Sequence, residues 1–152
     1  MTARPPQAFG HGIERLMPEY QAAEEAYFRD TRIYPIMHSL VVKGSVLEEH
    51  PWVAMNLYKA FRKAKDQSVE RMLEVTASHA PLPWLPEYAR RMQGIFGEDF
   101  FPYGIGADEG GRINRATLDA FCKFGHDQGI CHRRVEVEEL FPKNVLGSSS
   151  VA

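Results

Sequence analysis

A chain of 152 residues with 44% apolar and 25% charged side chains has the length and composition of one globular domain able to bury a core. Its formal charge of −2 comes without a basic run, which argues against a nucleic-acid partner. No apolar stretch approaches the ~20 residues that cross a bilayer, so no membrane partner is expected either.

The N-terminal MTARPPQAFG lacks the apolar stretch of a secretory signal. Two cysteines, Cys122 and Cys131, do not make a disulfide scaffold. Together these set a cytoplasmic location as the expectation. Residues 1–12, rich in Pro and Gly, and the tail 143–152, ending GSSSVA, are expected to be flexible ends.

Ile13, Leu16, Met17, Tyr20, Ala23, Ala26 and Tyr27 have the spacing of an amphipathic helix. Pro18 should move its start to the Pro18–Glu19 turn. The segment 33–43, IYPIMHSLVVK, reads as a strand, and its unalternating Leu40-Val41-Val42 suggests cover on both faces. Ser45 and Glu48 have the spacing of a capping box. From Pro51 to about Thr76 a long helix is expected, with Val53, Leu57, Phe61 and Ala64 as its apolar stripe.

Pro-rich punctuation follows, then a short helix over 87–95 and an aromatic loop from Phe96 to Tyr103. Asn114 reads as the cap of a last helix with Leu118, Phe121, Cys122 and Gly125 on its apolar face. Gly129 is its expected left-handed stop, and residues 135–141 give a final short turn. The expected core is Leu40, Val42, Leu57, Phe61, Leu118 and Phe121. One buried strand among four or five helices leaves backbone groups without partners. Self-association, or completion by another α/β segment, is therefore expected.

Candidate chemistry is sparse. Cys122, His126, Cys131 and His132 lack the paired-knuckle spacing of structural zinc sites, and Cys122 lies on the apolar stripe; no metal is assigned. No nucleophile elbow is present. The glycines of YGIGADEGGR match a phosphate loop only loosely, and Asp108 and Glu109 would repel an anion. Acid–base chemistry is better supplied, by His38 on the strand, His126 near a helix end and Asp99 in the aromatic loop. His38 is open to two readings, a satisfied core imidazole or one presented at a pocket.

The strings AEEAYFRDTRIYPIMHSLVVKGSVLEEHPWVAMNLYKAF, GEDFFPYG, NRATLDAFCKFGHDQGI and RRVEVEELFP, in that order over residues 13–142, resemble the C-terminal half of the 4,5-dihydroxyphthalate decarboxylase family. The link IGADEGGRI is longer than the family's usual one, and the cysteines are not motif positions. The resemblance implies a partial lobe of a helix-rich α/β fold like the type II periplasmic binding proteins, lacking an N-terminal lobe. It also implies non-oxidative decarboxylation of a hydroxylated aromatic acid without a cofactor. In that setting His38 and His126 are the candidate acid–base residues, and Arg32, Asp99 and Tyr103 the candidates for binding a small aromatic carboxylate. A solute-binding lobe without catalysis, or a truncated frame without activity, are the alternatives.

Overall fold

The computed structural model describes residues 7–77 and 79–146. The chain forms two compact units, Met1–Thr31 and Arg32–Ala152. Of the ends expected to be flexible, residues 1–6 and 147–152 lie outside the described residues, while 7–12 and 143–146 lie within them.

In the first unit, a turn closes where Gly10 N–H donates to Ile13 C=O at 2.8 Å, with Gly10 and Gly12 at positive φ. Helix α1 spans Tyr20–Thr31, starting just past Pro18 as proline's restrictions require. The Arg15 guanidinium lies 4.0 Å from the centre of the Tyr20 ring, a cation–π contact at the helix entrance. Glu25 and Arg29 pair across one turn at 3.1 Å.

The second unit is helical: α2 (Gly44–Glu49), α3 (Val53–Leu73), α4 (Leu85–Phe96) and α5 (Glu109–Asp127), followed by 3-10 turns at Val137–Leu140 and Lys143–Val145. Helix α3 is the hub, against which α2, α4 and the last turn pack, while α5 packs on Val137–Leu140. Asn144 ties the last turn to the start of α3 by donating to Pro51 C=O at 2.8 Å. The buried side chains of this unit are Ala89, Ile113, Thr117, Cys122 and Val137.

Two expectations fail here. Among the described residues there is no strand, only an isolated bridge between Phe9 and Ile13. The α/β lobe of a periplasmic-binding-protein type is therefore not what the chain builds. Residues 33–43 have no regular structure, and 35–42 exchange no backbone hydrogen bond with a described residue. β-branched residues favour a strand only where neighbours pair with it, and none is supplied.

The expected core fails with it. Leu40, Phe61 and Phe121 are 63%, 46% and 68% exposed, and Val42, Leu57 and Leu118 are half-buried. On α3 the packed stripe is Met55, Tyr58, Arg62, Lys65, Val69 and Met72, rotated by about one residue, or 100°, from the expected one. On α5 the buried side chains are Ile113, Thr117 and Cys122; Cys122 alone was expected. Burial, then the charge of Asp119, pushes the Cys122 thiol up.

Local signals fared unevenly. Gly129 sits at φ +72 past the end of α5, as a left-handed stop should. The Ser45–Glu48 capping box does not form, since Lys43 stands at the N-cap of α2 without a side-chain bond. A capping box joins Glu136 and Glu139 instead. There Arg133 grips Glu139 with two parallel bonds of 3.0 and 2.6 Å. That grip, aided by the Glu136 N–H, holds the Glu139 carboxyl down to about 2.

Its contribution to stability is present above the ordinary carboxyl value and is lost as pH falls through about 2. NMR titration should find the Glu139 midpoint near that value, and Arg133→Gln should return it toward the ordinary glutamate range.

Candidate functional site

The segment between α4 and α5 is clamped from three sides. It leaves α4 at Gly97, whose φ of 101° and ψ of 173° belong to a region open essentially only to glycine. A Cβ there would lie 2.9 Å from Glu109 Oε2. Glu109 is the first residue of α5 and holds Arg32 by a 3.1 Å ion pair. Arg32 itself sits at φ +57, a conformation that costs a non-glycine residue about 1–2 kcal/mol.

Asp99 is held at both oxygens. Oδ1 accepts from Phe101 N–H at 3.2 Å, and Oδ2 accepts from Lys65 Nζ at 2.8 Å. The Lys65 side chain is only 8% exposed and also meets Asp66 at 2.6 Å. Burial pulls its ammonium down, but the two carboxylates outweigh it and the net shift is upward.

Farther along, the Asn114 amide donates to the carbonyls of Pro102 and Gly104 at 2.9 and 2.8 Å. Asn114 thus lies inside α5 and braces the loop; the helix N-cap is Asp108, accepting from Gly111 N–H at 2.6 Å. The Tyr58 hydroxyl sits over Gly104, 3.1 Å from where a Cβ would stand, and is buried without a hydrogen-bond partner among the described residues. The half-buried Tyr103 has its ring 6.2 Å from that of Phe101.

A second strut runs from the extended segment. Tyr34 N–H donates to Thr117 Oγ1 at 3.0 Å, and the Tyr34 and Phe96 rings meet edge to face at 4.9 Å. Arg32 is thus held to the start of α5 by Glu109, Asp99 is fixed within the loop by Lys65, and Tyr103 lies beside Phe101.

The two histidines are placed differently. His38 follows Tyr34 by four residues on the same extended segment; it is exposed and makes no hydrogen bond or ion pair with a described residue. His126 lies in the last turn of α5, 3.7 Å from Asp127. Seventeen residues of helix separate it from Glu109, roughly 26 Å at helical rise, so it stands far from Arg32's partner. No group of three His, Cys, Asp or Glu side chains among the described residues is placed to hold a metal ion.

Sequence reasoning missed Lys65, Tyr58 and Glu109. Lys65 sits off the apolar stripe that α3's spelling suggests, and its partner Asp99 is 34 residues away, beyond any local signal.

The chain is 30% identical over 151 residues, 97% of its length, to 4,5-dihydroxyphthalate decarboxylase of Comamonas testosteroni. The two are distant relatives. The chain spans 44% of that protein's length, and no family model matches it. No helix among the described residues is long and apolar enough to cross a membrane.

Proposed function

We propose that the chain serves in the non-oxidative decarboxylation of a hydroxylated aromatic acid. The observation that carries this reading is the similarity along nearly the whole chain to a protein named for that reaction. The fixing of Arg32 by Glu109 and of Asp99 by Lys65 supports it. So does the left-handed backbone at Arg32, since strain of that kind collects at functional sites.

In this reading the Arg32 guanidinium takes the carboxylate that is retained, by charge-assisted hydrogen bonds. Tyr103 lies along the ring, and Asp99, fixed by Lys65, holds the loop edge to a ring hydroxyl. His38 delivers a proton to the ring carbon that carries the departing carboxylate. The carbon–carboxylate bond then breaks, its electron pair restores the aromatic ring, and CO2 leaves. The neutral imidazole regains its proton from solvent, so one proton is consumed for each CO2 released. His126, in the last turn of α5, takes no part in this scheme.

The test is CO2 release from dihydroxyphthalate by the protein carrying this chain. His38→Asn should lower kcat about 10²–10⁴-fold, the usual range for a lost acid–base group. Its thermal midpoint should hold, because the side chain is exposed. Arg32→Gln should act mainly on KM, raising it about 10–100-fold, as loss of a hydrogen bond to a charged group implies. Ligand-induced stabilisation with no CO2 release would overturn the reading in favour of a binding protein.

A further inference from the structure

A separate groove of about 610 Å³ opens between the end of α3 and the start of α4. It contains none of the residues assigned to the proposed reaction. That volume lies in the range of small-molecule sites. Its walls combine Arg71 and His79 with Leu82 and Trp84, and the carboxylates Glu74 and Glu87.

The charges in it are unevenly satisfied. Glu74 accepts from the backbone and hydroxyl of Thr76 at 2.8 and 2.6 Å, and Glu87 pairs with Arg90 at 3.3 Å. The Arg71 side chain makes no hydrogen bond or ion pair with a described residue. Both acids are engaged, and the guanidinium fork is left to meet something else. The Trp84 indole is 76% exposed and Leu82 59% exposed. An exposed indole and a guanidinium lining one groove offer an apolar platform and a carboxylate receptor.

We infer that this groove binds a small flat carboxylate, its acid group on Arg71 and its ring on Trp84. The inference stands whether or not the loop site catalyses decarboxylation. Proline side chains at 81, 83 and 86 line the same groove and stiffen the backbone that presents the indole.

Trp84 is its own reporter, since the chain has two tryptophans and Trp52→Phe leaves it alone. Benzoate added to that variant should change Trp84 emission along a saturable curve. Benzamide, with the ring and no charge, and acetate, with the charge and no ring, should each bind at least tenfold more weakly. Arg71→Gln should weaken benzoate at least tenfold, and Arg71→Lys, which keeps the charge without the fork, by less. Arg32→Gln should leave the curve unchanged, which separates this groove from the loop site. A response linear in benzoate, or one unaltered by Arg71→Gln, or one abolished by Arg32→Gln, would overturn the assignment.

Discussion

Gly111→Ala is expected to lower the melting temperature by about 6–12 °C, the shift corresponding to about 3 kcal/mol in a chain of this size. In a helix, alanine normally gains about 1 kcal/mol over glycine, so the expected sign runs against propensity. The reason is contact. A Cβ at Gly111 would stand 2.4 Å from both the nitrogen and the oxygen of Gly106, and backbone cannot swing aside as a long side chain can. Its neighbour Gly110 faces the Pro102 ring at the same 2.4 Å. Gly94→Ala is the matched control. It lies inside α4 with nothing within 4 Å of a new Cβ, and should raise the melting temperature by about 2–4 °C. Thermal scans of the two variants decide the matter. Equal shifts would mean that the loop does not press on the start of α5.

Lys65→Met is expected to cost about 1–2 kcal/mol. A hydrogen bond to a charged group contributes about 1.5–3 kcal/mol, and the roughly half-exposed Asp66 and Asp99 recover part of that from water. The pH dependence is the sharper signature. The folded Lys65 holds its proton above the ordinary value of 10.5. Its contribution is therefore complete below that value and disappears as pH rises through the folded one. Denaturant midpoints of the native protein and the variant should stay apart up to pH 10.5 and converge above it. In the proposed reaction the same variant should raise KM, because Asp99 would lose the ammonium that fixes it.

Much of the helical framework is written locally. Helix α1 begins where Pro18 allows it, α4 carries Pro86 in its first turn, and α5 ends before a glycine that takes a left-handed turn. Each of these depends on residues within one or two turns. The strand reading failed because Leu40-Val41-Val42 states a preference that only a neighbouring strand can satisfy. The rotated stripe of α3 failed for a related reason. The expected stripe is apolar throughout, whereas the packed one contains Arg62 and Lys65, so spelling alone pointed to the wrong side. The cap assigned to Asn114 shows the limit most clearly. An asparagine before an apolar run is a good cap on paper, yet its amide is used on two loop carbonyls, and Asp108 takes the cap. Of the proposed site, Arg32, Asp99 and Tyr103 were named as binding residues through the resemblance, and the ion pairs that fix Arg32 and Asp99 span 77 and 34 residues, beyond any local signal.

The clasp between the loop and α5 has a consequence for the order in which the second unit assembles. Asn114 reaches partners only 12 and 10 residues away, so closing that clasp removes little chain entropy. The links from Arg32 to Glu109 and from Tyr34 to Thr117 enclose 77 and 83 residues. Closing rings eight times longer costs about 2 kcal/mol more. Local closures of this kind form early, and distant ones wait for them. The loop and the head of α5 are accordingly expected to form first in this unit, with the segment carrying Arg32 and Tyr34 fastened onto them afterwards.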